Sequence, residues 1–376
     1  MRLLPFLPPD GTSDPDDLYT GFIAWAHAQG ITPYPHQDEA ILELLTGANA
    51  IVTTPTGSGK SLIATAAHFA AFAAGQRTYY TAPIKALVNE KFFALCEWFG
   101  AENVGMVTGD AAVGSTLVTD PRVAVVSFTG SAAVGHRIAR DAAPRRVVLE
   151  LGSNAALLVA ADADLDRATD AVVRGGFYAN GQACIAIQRI VVEESVAGRF
   201  ESLLATKMAA VRVGDPRADS TRVAPLIDER STARVLEWVG EAVQAGARVV
   251  HGGDAQGRTI TPTVLAGVPA DSRVWREEVF GPVVCLTTVP DFDTALKVAN
   301  DSRYGLQAAV FTASLATALR AVDELDVGGV VVNEVPGFRS DIMPYGGVKD
   351  SGIGREGPRF AIEEYTVTKM ALIRPA

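Results

Sequence analysis

Cysteine is scarce in this sequence: Cys96, Cys184 and Cys285 stand far apart, with no Cys-x-x-Cys pair and an odd count. That excludes a disulfide framework and a cysteine-based zinc site. Histidine is equally sparse. None of His27, His36, His68, His136 and His251 stands at ligand spacing from another, so no metal is expected. No apolar run approaches the ~18 residues of a membrane span. The proline-interrupted opening, residues 1–10, lacks the charged-then-apolar layout of a signal peptide. A cytoplasmic protein without membrane association is the expectation. An excess of basic residues is missing too: 33 Lys and Arg face 43 Asp and Glu, a formal net charge of −10. This is not the footprint of a nucleic-acid-binding surface. Internal repeats and low-complexity tracts are absent as well.

What is present suits packed cores. With 376 residues, 48% of them hydrophobic, the chain is long enough for two or more domains. Apolar, β-branched runs at 50–53, 78–81, 104–107, 123–128 and 146–151 alternate with helical patterns, which predicts an α/β fold with a doubly wound parallel sheet. After Asn154 come helical patterns at 164–178, 197–211, 232–245 and 292–300, interleaved with strands at 190–193, 283–289 and 330–333. They predict a second α/β domain. The expected division is 1–112, 113–153, 154–350 and a C-terminal segment 351–376 carrying a strand over 364–373.

Two sets of motifs carry chemistry. The first, Thr54-Pro-Thr-Gly-Ser-Gly-Lys60-Ser61, follows an apolar run and opens a helical pattern over 61–74. Gly57 and Gly59 let backbone N–H groups converge on phosphate oxygens, Lys60 neutralises terminal phosphates, and the Ser61 hydroxyl suits Mg2+. With Tyr34-Pro-His-Gln37 upstream and Thr81-Ala-Pro-Ile-Lys-Ala-Leu87 downstream, residues 1–112 resemble the start of a superfamily 2 DExH-type helicase. The resemblance implies ATP and Mg2+ at the loop, with Gln37 against adenine. A hydrolytic DExH acid is missing from the following strands, and Asp323-Glu-Leu-Asp326 closes a helical pattern instead. ATP binding without turnover is the corresponding expectation.

The second set runs in order through the rest of the chain: Ser127-Phe-Thr-Gly-Ser131, Leu149-Glu-Leu-Gly152, Gly181-Gln-Ala-Cys184, Glu277-Glu-Val-Phe-Gly-Pro282, Asn300-Asp-Ser-Arg-Tyr-Gly-Leu306, Pro344-Tyr-Gly-Gly-Val-Lys349 and Ser351-Gly-Ile-Gly-Arg-Glu356. Residues 113–376 thereby resemble the aldehyde dehydrogenase superfamily. The resemblance implies oxidation of a small aldehyde with NAD or NADP, Cys184 being the nucleophile and Glu150 the general base. It also implies cofactor phosphates near Gly130 and Ser131, with Glu278 and Phe280 gripping the nicotinamide ribose and flanking the ring. The segment 364–373 resembles an oligomerisation arm, hence a homo-oligomer. Cys96 and Cys285 read as packing residues, and Arg339 as either a reader of an anionic aldehyde or, more commonly for a lone loop arginine, a solvated side chain.

The sequence departs from that superfamily on its N-terminal side. It holds neither the Pro-Trp-Asn segment, whose Asn shares the oxyanion site, nor the Lys-Pro motif that binds the adenosine ribose. The changeover between the two resemblances lies near 107–114. A joint sheet of mixed parentage, with strands near 50, 78 and 104 beside those near 123 and 146, is the structural expectation. Three readings follow: an aldehyde dehydrogenase slowed by its missing parts, an ATP-binding module, and an inactive hybrid.

Overall fold

The computed structural model describes residues 2–8, 14–48, 50, 60–78, 85–105, 111–340 and 342–374, without the side chains of 85–89. It divides into two compact units, Met1–Gly114 and Ser115–Ala376.

The described part of the first unit is helical: α1 (Pro15–Ala28), α2 (Pro35–Leu45), α3 (Lys60–Ala73) and α4 (Lys85–Phe99). Proline at the first position and Asp14, whose side chain accepts from the N–H groups of Asp16 and Asp17, start α1. Its buried face, Leu18, Phe22, Trp25 and Ala26, recurs at three- and four-residue spacing and packs with Ile41, Ile63, Ala66 and Phe69. Of the strands expected near 50, 78 and 104, most residues lie outside those described. Ala50, Thr78, Val104 and Gly105 are described, and none is in a strand. The phosphate-loop residues Gly57 and Gly59 also lie outside the described set. Helix α3 opens at Lys60, one residue before the predicted start.

Helix α5 (Ala111–Thr119) leads into the second unit, which begins with β1 (Val125–Thr129), α6 (Ala132–Ala142) and β2 (Arg146–Glu150). The chain continues through β3 (Ala156–Val159), α7 (Leu165–Gly176), β4 (Arg189–Glu193), α8 (Glu194–Met208), α9 (Glu229–Gln244) and β5 (Arg248–His251). Next come β6 (Ala255–Gln256), β7 (Thr259–Ile260), β8 (Thr263–Ala266), α10 (Arg273–Arg276), β9 (Val283–Val289), α11 (Phe292–Asn300), β10 (Tyr304–Gly305), β11 (Gln307–Phe311) and α12 (Leu315–Glu324). The last elements are β12 (Gly329–Val332), β13 (Val348–Lys349), β14 (Gly352–Ile353) and α13 (Pro358–Tyr365).

Seven strands form one sheet in the order β12-β11-β3-β4-β9-β8-β5. All neighbours in it are parallel except β5 and β8. Between those two lies only the short β6–β7 hairpin and no crossover helix, so the chain returns antiparallel. Strands β3, β4 and β9 are fully buried over most of their length, Ile190, Val191 and Val192 among them, because helices cover both faces.

The smaller sheet, β1-β2-β14, pairs β1 with β2 in parallel and β14 with β2 antiparallel. The fold is thus α/β with mixed sheets, a correction to the wholly parallel expectation. Among the described residues, β1 pairs only with β2; the joint sheet of mixed parentage is not seen among them. A second correction concerns the C-terminus. Glu364 and Tyr365 close helix α13, and residues 366–374 take no strand, because a two-sided apolar pattern without a neighbouring strand has nothing to complete its backbone hydrogen bonds. No described helix is long and apolar enough to cross a membrane. No metal-holding group of His, Cys, Asp and Glu occurs among the described residues.

Candidate active site

Cys184 stands just beyond a short loop, residues 178–181, whose backbone is held in the left-handed region at three consecutive positions, Ala179 (φ 48°), Asn180 (φ 62°) and Gly181 (φ 68°). Such conformations persist only where surrounding contacts fix them. Two contacts are evident: Asn180 Oδ1 accepts the Ala224 N–H at 2.8 Å, and Gly181 lies so close to Gly281 that a Cβ there would sit 2.1 Å from the Gly281 carbonyl oxygen. Only glycine fits both the dihedral angle and the space. The loop thereby carries the thiol to the end of the central sheet nearest the 277–282 segment.

The C-terminal side of the same segment is anchored by Gln188, which is buried. Its amide nitrogen donates to the carbonyls of Val274 (3.0 Å) and Glu277 (2.7 Å), and its Oε1 accepts the Val279 N–H at 2.9 Å. Next to it the buried guanidinium of Arg189 donates to the carbonyls of Asn154, Val298 and Ala299. These two residues fasten the strand that follows Cys184 to the segments holding Glu278 and Asn154.

Glu150 ends β2 and is 7% exposed. Neither carboxylate oxygen has a hydrogen-bond partner among the described residues. A buried carboxylate without donors is costly when charged. Burial, reinforced by the like charge of Glu356 and only partly opposed by Arg339 and Arg355, pushes its pKa up to about 8. The strand end is tied down one step later: Leu151 N–H donates to the Ser351 carbonyl, and the Ser351 hydroxyl donates to the Gly152 carbonyl at 2.7 Å.

Tyr345 joins these groups. Its hydroxyl lies 3.6 Å from Cys184 Sγ, within hydrogen-bonding range for sulfur. Its backbone pairs antiparallel with Glu356, and the Arg339 guanidinium sits 4.3 Å from its ring centroid. Arg339 also pairs with Glu356 at 2.6 Å. Arg339 is thus exposed to solvent on one side and held by Tyr345 and Glu356 on the other. Burial raises the Cys184 thiol pKa; the Tyr345 hydroxyl opposes this, while Glu278 and Glu150 add to it. Two carboxylates and a phenol thus act on one thiol, and a guanidinium lies over the ring of that phenol.

Comparison with known proteins places the chain in a family. The aldehyde dehydrogenase family profile matches residues 45–371. The chain belongs to the aldehyde dehydrogenase family. A 3-sulfolactaldehyde dehydrogenase of Priestia aryabhattai is 42% identical over 269 residues, 71% of this chain and 56% of that protein. Among solved structures, an NAD-dependent aldehyde dehydrogenase from Sinorhizobium meliloti is 34% identical, with a TM-score of 0.72 over 77% of this chain and 60% of that one. Aldehyde dehydrogenase 21 from Physcomitrella patens, in complex with the reaction product succinate, is 28% identical, with a TM-score of 0.69 over 94% of this chain and 82% of that one. The chain spans a little over half the length of the curated aldehyde dehydrogenase it matches. The family match reaches upstream of the expected changeover near 107–114, and the comparisons carry no evidence of a helicase fragment.

The other residues singled out in the sequence are placed as follows. Glu278 is largely buried, its Oε1 accepting the Ser153 N–H at 2.9 Å, and burial raises its pKa. Its carboxylate lies against Gly152, where a Cβ would approach Oε2 to 2.6 Å. Phe280 is 40% exposed and has a left-handed φ of 49°. Glu278 and Phe280 line one small cavity with Ser153, Gly181 and Ala183, so the 277–282 segment and the loop before Cys184 share a wall. Gly130 N–H donates to the Glu150 carbonyl, and Ser131 is the N-cap of α6.

Cys285 is buried, with its thiol pushed up to about 12, and Cys96 belongs to helix α4 of the first unit, in keeping with packing roles. Gln37, expected against adenine, is 3% exposed and its Oε1 accepts the Tyr34 N–H at 2.9 Å, an N-terminal cap for α2. Sequence reasoning missed Tyr345, Gln188, Arg189 and Ser351 as site-building residues. The signal for Tyr345 and Ser351 was present, since both stand inside quoted motifs. For Gln188 there was none, as a lone polar residue beside a strand reads as solvated.

Proposed function

We propose that this protein oxidises an aldehyde to a carboxylic acid with NAD or NADP. The observation that carries the reading is the buried, unpartnered carboxylate of Glu150 set close enough to Cys184 to act on its thiol electrostatically. A carboxylate with no donors and a pKa near 8 accepts a proton from water at working pH better than an ordinary glutamate does.

The reaction divides between the two residues. Cys184, ionised, adds to the aldehyde carbon and gives a thiohemiacetal. The nicotinamide, when bound, supplies the acceptor for the hydride, leaving a thioester on the sulfur. Glu150 then removes a proton from water, the hydroxide adds to the thioester carbon, and the acid departs as the C–S bond breaks. The Cys184 backbone N–H is the available oxyanion donor in the sequence. Loss of one such donor typically costs ~2.7–4 kcal/mol of transition-state stabilisation.

The chain's residues fit a dinucleotide. The Glu278 carboxylate suits ribose hydroxyls, the exposed Phe280 ring suits a nicotinamide edge, and α6 is an eleven-residue helix that no side chain caps, behind Gly130 and Ser131. Its first-turn N–H groups suit phosphate oxygens. The test is alkylation of Cys184 and its replacement: turnover that survives Cys184→Ala excludes the reading.

A second reading keeps one support. Helix α3 opens at Lys60-Ser61, the position a phosphate-binding loop requires. It predicts saturable ATP binding, with Mg2+, that is lost in Lys60→Ala. A flat titration removes it.

A further inference from the structure

We infer that Arg339 reads an acidic group on the aldehyde, so that the preferred substrates are short anionic aldehydes carrying a carboxylate or sulfonate. The inference rests on Cys184 being the nucleophile. Arg339 lies over one face of Tyr345, while the hydroxyl of the same ring reaches Cys184 Sγ. A substrate whose carbonyl meets the thiol therefore has a guanidinium about one tyrosine ring away.

The guanidinium can take a second anion. Its Nη2 donates to Glu356 Oε2, and among the described residues Nε and Nη1 make no hydrogen bond. Arginine has five donors in a planar fork, and a carboxylate or sulfonate matches two of them at once. The stacking on Tyr345 fixes the plane of the fork.

The charges at the site favour an anion as well. Arg339 and Arg355 both act on Glu150 against the like charge of Glu356, so two cations accompany one surface carboxylate beside that buried group. Arg355 is occupied by the carbonyls of Gly347 and Gly354, which leaves Arg339 as the cation able to turn to a ligand. Arg339 is half-exposed, so a ligand can reach it.

The experiment uses the thiol itself as reporter and needs no cofactor. Alkylation of Cys184 by iodoacetate and by neutral iodoacetamide is timed in the full chain, with peptide mapping to separate Cys184 from Cys96. A second pair of reagents, an anionic sulfonatoethyl and a neutral methyl methanethiosulfonate, covers the sulfonate arm. The anionic-to-neutral rate ratio cancels changes in thiol reactivity.

Arg339→Gln should lower this ratio about tenfold, the scale of one charge-assisted hydrogen bond, and Arg339→Lys should restore part of it. Glu356→Gln, which removes the competing carboxylate, should raise the ratio only when Arg339 is present. A drop in one reagent pair alone assigns the site to carboxylates or to sulfonates. Equal ratios in the parent and Arg339→Gln proteins overturn the inference and leave the nucleophile intact. Failure of iodoacetamide to modify Cys184 overturns the nucleophile reading and this inference with it.

Discussion

Glu150 concentrates the residue-scale argument. Its folded pKa, about 8, lies above the ordinary glutamate value of 4.5 because the charged form is buried without donors. The sign follows. The folded state holds a proton that the unfolded chain releases between pH 4.5 and 8, so the contribution to stability is complete below about 4.5 and is lost as pH rises through about 8. Denaturant midpoints should fall over this window, and Glu150→Gln should flatten the fall; parallel curves for the two proteins would contradict the assignment. In catalysis the same group works in its ionised form. Deacylation should therefore rise with pH and level off above about 8, with the limb abolished in Glu150→Gln and the rate reduced by about 10²–10⁴-fold. Rapid-quench measurement of thioester decay reads both. Cys184 and Glu150 were singled out in the sequence because they sit in recognisable strings. The orphaned state of the carboxylate was not, since burial depends on Tyr345, Gly346 and Glu356, which are almost two hundred residues away in the chain.

At the scale of elements, the nucleophile loop depends on glycine at 181. Gly181→Ala should place a methyl group against the Gly281 carbonyl and force a left-handed alanine. Loss of Cys184 alkylation with retained far-UV circular dichroism is the expected outcome, whereas unchanged labelling would show that the loop has room. Ser351 tests the other side of the site. Its buried hydroxyl donates to the Gly152 carbonyl and accepts the Gly305 N–H, so Ser351→Ala should cost about 1–3 kcal/mol in urea unfolding. Strands β3, β8 and β11 of the large sheet were not singled out, while β1, β2, β4, β9 and β12 and the helices α7, α8, α9 and α11 were readable from period and caps, β9 and α11 with the expected bounds. Two further kinds of feature were not readable. Strand direction at β5 and β14 is set by which neighbour is closest in space, and residues 364–373 were read as a strand from an apolar pattern that a single chain does not pair. Val367, Met370, Leu372 and Ile373 are all at least 76% exposed. If this segment pairs across copies of the chain, removing it should lower the mass seen by light scattering; an unchanged mass would exclude the arm.

For the whole molecule, the family assignment spans most of the chain, while the site chemistry is built within the second unit, from β2 through the 339–356 region. The helicase resemblance of the first unit rested on a short glycine-rich loop and its flanks, which are local signals, and the comparisons add no support to it. A family match that runs on through residue 45 draws on longer stretches. The proposed turnover of an aldehyde needs the thiol and the carboxylate together. It is tested most directly by following reduced nicotinamide formed from neutral and anionic aldehydes with NAD or NADP, beside Cys184→Ala. Slow turnover that vanishes in Cys184→Ala is predicted. No turnover from the folded protein with any aldehyde, or turnover that persists in Cys184→Ala, would contradict it.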